Sequence, residues 1–353
     1  MTSTVDTQAL NRPATITDVA EHAGVSMKTV SRVLNRAENV KKATRDRVEE
    51  AMQTLGYRPN SPARMLASNR TFLIGLIYNA SSSYITSVQN GVLDACRAQH
   101  YDLLIHPCRY NHPSLLDNIR DFISSKRVDG LVLVPPVSDV AGIHELLIEQ
   151  GIANVAISHE PSNESDWAVN TNDQEICKKV VRHLADLGHQ KIAFVRSSPD
   201  HKAMAKRYQG FLDGMAEVNL SADKNLIVQG DNSFESGINC GLQLLKNEPR
   251  PSAIFCANDP MAAGVMRVAH EQRLEIPCDI SIAGFDDSPV AKQVWPPLTT
   301  VRQPLETMAK LAAEALICLV RNEKPQELCV VVESELLIRQ STGPAPAATD
   351  SQA

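Results

Sequence analysis

Clustered cysteines are missing from this chain. Its eight cysteines (Cys96, Cys108, Cys177, Cys240, Cys256, Cys278, Cys318 and Cys329) are scattered, and no two form a C-x-x-C pair. That spacing argues against a disulfide framework or a zinc site and for buried, reduced thiols. The ten histidines form no H-E-x-x-H or other ligand spacing, so no metal is expected. No G-x-G-x-x-G follows a strand-like run, and neither a Walker A loop nor a G-x-S-x-G elbow occurs, which argues against a dinucleotide enzyme and leaves no cofactor expected. The acidic pair Asp286-Asp287 is conceivable as catalytic carboxylates, but nothing near it supplies a metal triad or a matched acid. No catalytic residue is therefore expected. Long apolar runs are absent as well: none reaches the roughly 20 residues of a membrane span. The opening "MTSTVDTQALNRPA" lacks the basic and apolar regions of a signal peptide, so the expected location is the cytoplasm.

What is present describes an ordinary globular protein. The chain has 353 residues with 43% apolar and 22% charged content, enough for about two or three domains. The net charge of -6 is uneven: residues 1–70 carry +4 and the remainder -10. A small basic head on a large acidic body suggests that the head alone meets a polyanion.

The head carries a sharper pattern in "TITDVAEHAGVSMKTVSRVLN". Thr17 is read as an N-cap before Asp18-Val19-Ala20-Glu21, with Ile16, Val19, Ala20 and Ala23 on one helical face. Gly24 permits the left-handed backbone that ends a helix. Ser26 caps a second helix in which Val30, Val33 and Leu34 point inward while Met27, Lys28, Ser31 and Arg32 are free to point out. Two short helices joined by a glycine-containing turn predict a helix-turn-helix, whose second helix enters the major groove. A third helix follows in "KKATRDRVEEAMQTLGY", capped by Thr44, with Val48, Ala51, Met52 and Leu55 buried and Gly56 as its stop. The next stretch, "PNSPARMLASNR", is helix-prone between prolines yet about half the length an isolated helix needs.

From Thr71 the chain alternates apolar runs ("FLIGLIY", "YDLLIH", "DGLVLVPP", "ANVAIS", "KIAFV", "NLIVQG", "SAIFCAND", "ISIAGFDD") with helical segments. Near-continuous apolar strands mark a parallel sheet buried on both faces, and repeated βαβ units predict a doubly wound architecture. The strand number fits two similar halves better than one sheet.

"TVSRVLN" after "AGVS", with "TxxDVA" before and "LGYRPN" after, resembles the DNA-binding head of the lactose-repressor/galactose-repressor (LacI/GalR) family. The likeness runs on through "KRVDGLVLVPP", "HLADLGHQKIAFV", "RYQGFLDGM", "CANDPMAAGV", "IPCDISIAGFDDSP" and "PPLTTVRQP", in order and over nearly the whole chain. The resemblance implies an N-terminal all-α helix-turn-helix head joined by a hinge helix to an α/β periplasmic-binding-protein-like core of two Rossmann-like lobes, with three crossovers and a ligand cleft at strand C-terminal ends. The implied organisation is a flexible N-terminus (1–14), the DNA-binding head (15–58), the hinge helix (59–70), the effector-binding and dimerisation domain (71–341) and a disordered tail (342–353).

Carried over residue by residue, the resemblance implies that Arg32 reads a base edge and that Met27 and Lys28 set operator preference. Thr15, Thr17, Ser26, Thr29, Ser31 and Asn35 join the DNA-binding set, the threonines and serines as phosphate contacts. Leu66 matches a leucine that wedges into the minor groove from a hinge helix ordered on DNA, beside Ala63. In the cleft, Arg207 and Asp259 match residues that donate to and accept from an effector, and Asn79 and Tyr84 occupy the other wall. For Arg207 the alternative is an interlobe salt bridge, and for Asp259 a turn-capping role. Many relatives place an aromatic directly after the strand-end Gly-Asp; here Gly230-Asp231 is followed by Asn232, with Phe234 two residues later. Phe234 or Trp295 is left to supply an apolar face, against plain packing.

The implied function is a sequence-specific transcriptional regulator, a repressor of carbohydrate-utilisation genes controlled by a sugar effector, binding pseudo-palindromic operator DNA as a homodimer. A purine- or nucleoside-responsive regulator is the alternative within the family. A solute-binding protein or a sugar-modifying enzyme is the alternative outside it. The tail "GPAPAATDSQA" has no leucine heptads for a tetramerising coiled coil.

Overall fold

Thr15 caps the first helix of the head. The computed structural model describes residues 14–34, 40–57, 70–159, 167–198, 201–325 and 327–347, and the chain divides into two compact units, Met1–Phe72 and Leu73–Ala353. In the first unit α1 (Ile16–Ala23) is capped by Thr15, not by Thr17 as the sequence suggested. Thr15 is extended at φ -110, and the Asp18 carboxylate returns to its backbone N–H at 2.7 Å, closing a reciprocal box. Thr17 lies inside the first turn, its hydroxyl donating to Met27 Sδ at 3.4 Å. Gly24 takes φ 62, and Val25 N–H donates to the Ala20 carbonyl at 2.9 Å, so the turn ends one helix and delivers the next. Ser26 Oγ accepts from Thr29 N–H at 3.2 Å ahead of α2 (Met27–Leu34). The third helix, α3 (Lys42–Thr54), starts before Thr44, behind Lys41, which makes no side-chain capping bond. Val19, Ala20, Ala23, Val30, Val33, Val48, Ala51 and Tyr57 form the core of this unit. Asn35, Ala63 and Leu66 lie outside the described residues, as does nearly all of the expected hinge helix.

The second unit contains two parallel sheets. The first joins β1 (Leu73–Tyr78), β2 (Asp102–Pro107), β3 (Gly130–Leu133), β4 (Ala153–Ile157), β5 (Trp167–Thr171) and β11 (Cys329–Val332) in the order β11-β5-β4-β3-β1-β2. Its helices are α4 (Ser83–Ala98), α5 (Leu115–Lys126), α6 (Ile143–Glu149) and α12 (Leu305–Val320), the last packed on α4. The second sheet joins β6 (Ile192–Arg196), β7 (Ile227–Gln229), β8 (Ala253–Cys256) and β9 (Ser281–Ala283) in the order β7-β6-β8-β9. Around it stand α7 (Asp173–Asp186), α8 (Lys202–Glu217), α9 (Phe234–Leu244), α10 (Asp259–Glu271) and α11 (Pro289–Gln293). β10 (Thr300–Arg302) pairs antiparallel with β12 (Glu335–Leu337). Residues Ile254, Phe255, Leu131, Val132 and Leu133 are wholly buried, which is what a strand covered on both faces by helices requires.

The chain passes between the lobes three times: after β5, after β10 and after β11. The eight expected strands are all present. The four added ones are short, and β10, β11 and β12 lie around the crossovers, where the βαβ rhythm breaks. The tail differs from expectation at its start. Beyond Ser341, the last residue of the expected domain, Thr342 Oγ1 lies 2.9 Å from Thr299 Oγ1, Gly343 N–H donates to Ser281 Oγ at 3.0 Å, and Ala345 N–H donates to the Leu187 carbonyl at 2.8 Å. Polar groups matched to partners dock residues 342–345 on the second lobe, despite the polar composition of the tail.

Candidate functional site

The eight strands β1–β4 and β6–β9 all end at the same cleft. The segments after them contribute Asn79, Tyr110, Pro135, Ser158, Ser198, Gly230, Asn258 and Asp286 to a cavity of about 1030 Å³ between the lobes. This is where open α/β sheets bind ligands, because strand-end loops and helix N-termini converge there. Among the described residues, three N-cap side chains that make capping bonds stand in the wall. Ser82, Ser233 and Asn258 accept from Ile85, Ser236 and Met261 N–H at 3.3, 3.0 and 3.0 Å at the starts of α4, α9 and α10.

Arg207, on α8, is the cavity's centre of charge. It is only 2% exposed, so its charge must be compensated locally. Nε donates to Asp173 Oδ2 at 3.3 Å, and Nη1 donates to the Ala257 carbonyl at 2.6 Å and to Asp286 Oδ1 at 3.3 Å. The guanidinium also lies 3.7 Å from the centre of the Phe285 ring. Gln303 Nε2 donates to the same Asp286 oxygen at 2.7 Å. Burial pushes the Asp286 carboxyl up to about 6 even though Arg207 and Gln303 pull it down. Tyr84 is pushed up to about 12 by burial and remains a phenol, able to donate, at neutral pH.

Asp259 is placed differently from expectation. It is fully buried, is not in the cavity wall, and spends both oxygens internally. Oδ1 accepts from Thr300 Oγ1 at 2.5 Å and Oδ2 from Ser288 N–H at 2.7 Å. Burial, with Asp286 nearby, pushes its carboxyl up to about 8. Asp259 therefore pins the loop that presents Asp286, and Asp286 holds the acceptor position facing the cavity. The missed signal was positional: Asp286 follows the apolar run "ISIAGF", and the end of a parallel strand is a ligand position whether or not the chemistry is catalytic.

The other cleft residues divide. Asn79, Tyr84, Arg207 and Asn232 line the cavity, whereas Phe234 and Trp295 do not. Phe234 begins α9 outside the wall, and Trp295 is 79% exposed on the surface with its carbonyl 2.9 Å from His270 Nε2. Among the described residues the rings in the wall are those of Tyr84, Tyr110 and His201. On the head, Thr15, Thr17, Ser26, Met27, Lys28 and Arg32 are exposed, and Thr29 and Ser31 are half-buried. Met27 is 53% exposed at the start of α2.

A helix-turn-helix unit and a two-lobed unit with an interlobe polar cavity define the class of a ligand-responsive DNA-binding regulator. Residues 15–60 match the model of bacterial regulatory proteins of the lacI family, and residues 181–342 match a periplasmic binding protein-like domain. The chain is 33% identical over 334 residues to the HTH-type transcriptional repressor PurR of Vibrio atlanticus, covering 93% of this chain and 98% of that one. It is also 33% identical to catabolite control protein A of Priestia megaterium, over 93% of this chain and 99% of the relative. Among solved structures, the lac repressor dimer bound to operator and the anti-inducer ONPF superposes with a TM-score of 0.73 at 26% identity, covering 94% of this chain and 100% of that one. The transcriptional regulator CelR–cellobiose complex gives 0.72 at 27% identity, covering 93% and 99%. The chain belongs to the LacI family of bacterial regulatory proteins. It is a DNA-binding regulator of transcription, not an enzyme.

Proposed function

We propose that this regulator is a cytoplasmic repressor of carbohydrate-utilisation genes whose effector is an uncharged sugar bound between the lobes. The observation that carries this reading is the charge state of the wall. Arg207 is the one lysine or arginine among the described lining residues, and it is already shared by Asp173, Asp286 and the Ala257 carbonyl. Asp231, Asp286 and Asp287 also line the cavity. A phosphate or carboxylate entering this space would face carboxylates with no cation to spare, whereas hydroxyls can accept from Arg207 or Tyr84 and donate to Asp286. The relative named PurR raises a purine effector as the second reading. The expected Phe234 and Trp295 are outside the described wall, which leaves Tyr84, Tyr110 and His201 as the aromatic surfaces a base could stack on. Disaccharide recognition by a structural neighbour, the CelR–cellobiose complex, supports the sugar reading.

On DNA, a homodimer places two copies of α2 in successive major-groove half-sites of a pseudo-palindromic operator. Arg32 reads a base edge, Met27 and Lys28 set preference, and Thr15, Thr17, Ser26, Thr29, Ser31 and Asn35 contact phosphates or flank them. Leu66 and Ala63 act from the hinge as a minor-groove wedge. The effector changes operator affinity only as far as it prefers one lobe arrangement. The test is a thermal-shift screen of the purified chain with neutral mono- and disaccharides including cellobiose, sugar phosphates, and the bases guanine and hypoxanthine. Operator binding with each hit then follows. Stabilisation by neutral sugars is expected; stabilisation by the bases or by phosphorylated sugars alone would overturn the reading.

A further inference from the structure

A second polar centre joins the lobes away from Arg207. Asp139 ends the 3-10 turn Val137–Asp139 that follows β3, and its side chain is 1% exposed. A carboxylate buried to that degree needs close partners, and this one takes them from both lobes. From its own lobe, His159 Nδ1, just beyond β4, lies 3.3 Å from Asp139 Oδ1. The His159 ring is backed by the His144 ring at 4.5 Å between centres, and His144 Nε2 is 3.2 Å from the carbonyl of Ser138. From the opposite lobe, the backbone N–H of Lys202 donates to Asp139 Oδ2 at 3.1 Å.

Lys202 is the first residue of α8, the helix that carries Arg207. The residue in the N-cap position, His201, makes no side-chain capping bond. His201 Nδ1 lies 3.8 Å from Asp139 Oδ2, and burial pushes this imidazole down to about 4 in spite of that carboxylate. A neutral ring leaves the helix N–H and the helix dipole as what the carboxylate meets from that lobe. The N-cap side chain of a helix ordinarily accepts from the second or third N–H, so an acceptor for the first must come from outside the helix, and a negative charge there is favourable. Here both come across the cleft.

We propose that Asp139 is an interlobe cap: it completes the N-terminus of α8 from the opposite lobe, so closing the lobes and ordering the Arg207 helix are one event. Lobe opening pulls the carboxylate off Lys202 N–H and leaves the first turn of α8 uncapped. Asp139 is a positioning residue in this arrangement, and the device is independent of which effector binds.

The experiment is hydrogen exchange by mass spectrometry on the full chain without effector, reading the α8 first-turn amides of Ala203, Met204 and Ala205. Asp139→Ala removes the acceptor, and Lys202→Pro removes the donor at a position where proline suits a helix start. Each single variant is expected to speed exchange there about fivefold, the effect of one lost cap. The double variant is expected to be no faster than either single one, because both delete the same bond. Asp139→Asn, which keeps an acceptor oxygen, should fall between wild type and Asp139→Ala. Wild-type exchange in Lys202→Pro, or effects that multiply to about 25-fold in the double variant, would overturn the proposal. If Asp139→Ala does not fold, Lys202→Pro decides alone, since it leaves the buried carboxylate paired with His159.

Discussion

Replacing Asp286 by asparagine separates the stability of the cavity from its chemistry. Asparagine keeps the shape and an acceptor oxygen for Gln303, and it tolerates the left-handed backbone at this position, where φ is 112. What is lost is one negative charge beside Arg207, which retains Asp173 and the Ala257 carbonyl. The folded chain holds the Asp286 carboxyl at about 6 against its ordinary 3.8, with burial outweighing Arg207. Between those two values the folded state keeps a proton that the unfolded chain has released. Stability contributed by this group is therefore fully present below 3.8 and lost as pH rises through about 6. The full difference corresponds to about 3 kcal/mol, taken as a ceiling because the side chain borders the cavity. The variant has no proton to lose. Its melting temperature should equal wild type near pH 4 and exceed it at pH 8, by at most about 6 °C for a unit of this size. The ceiling counts Asp286 alone; Asp259 is raised to about 8 chiefly by burial and only secondarily by Asp286. The assay is a calorimetric melt of both proteins at pH 4, 6 and 8. A variant that melts below wild type at pH 8, and less so at pH 4, would show that the Arg207 attraction outweighs burial and would refute the reasoning. Effector affinity should meanwhile fall about tenfold or more, since a hydrogen bond to a charged acceptor is lost.

Other expectations follow from the same geometry. Affinity of the wild type for a neutral sugar should weaken as pH drops through about 6, where Asp286 becomes protonated, and titration calorimetry of Asp286→Asn should show that step removed. Thr15→Ala should destabilise the head by about 1 kcal/mol, read as faster exchange of the α1 amides, whereas Thr17→Ala should have little effect on them; equal effects would return the cap to Thr17. Gly237→Ala should cost about 1–3 kcal/mol in chemical denaturation, because a Cβ there runs into the backbone of Met261 where α9 and α10 cross. Leu66→Ala should weaken operator binding and abolish DNA kinking in a gel-mobility assay, and unchanged affinity would remove the wedge role.

Much of the architecture was legible because it is written in periodicity. Buried parallel strands show as uninterrupted apolar runs, and the head shows as apolar faces punctuated by Gly24 and Ser26. Caps were less legible. Thr15 and Thr17 are the same residue type two positions apart, and only the return of the Asp18 carboxylate to Thr15 N–H selects between them. The two aspartates were harder still. Asp259 and Asp286 sit at the ends of neighbouring strands, and which of them faces the cavity depends on whether Thr300 and Ser288 reach in to occupy the carboxylate. Those partners come from segments 41 and 29 residues away, a distance over which local pattern carries no information. The docking of residues 342–345 was hidden for the same reason: a short polar segment looks solvated until its partners, Ser281 and the Leu187 carbonyl, are known.

The polar network around Arg207 also reaches the connections between the lobes. Asp173, which accepts from Arg207, opens α7 directly after the first crossover. Gln303, which donates to Asp286, lies on the second crossover, between β10 and α12. Asn172, next to Asp173, accepts from Ser334 N–H at 2.8 Å on the third. In the proposed site an effector hydroxyl donating to Asp286 would compete with Gln303 and Arg207 for the lone pairs of one carboxylate. Any redistribution among those donors is therefore felt at crossover positions, with no intervening chain of packed side chains required. Differential affinity for two lobe arrangements needs contacts whose quality changes with arrangement, and bonds anchored on the crossovers are of that kind. Under the proposed sugar recognition, Asp286 would connect the effector to lobe geometry directly, while Asp259, closed off by Thr300 and Ser288, holds the loop that presents it.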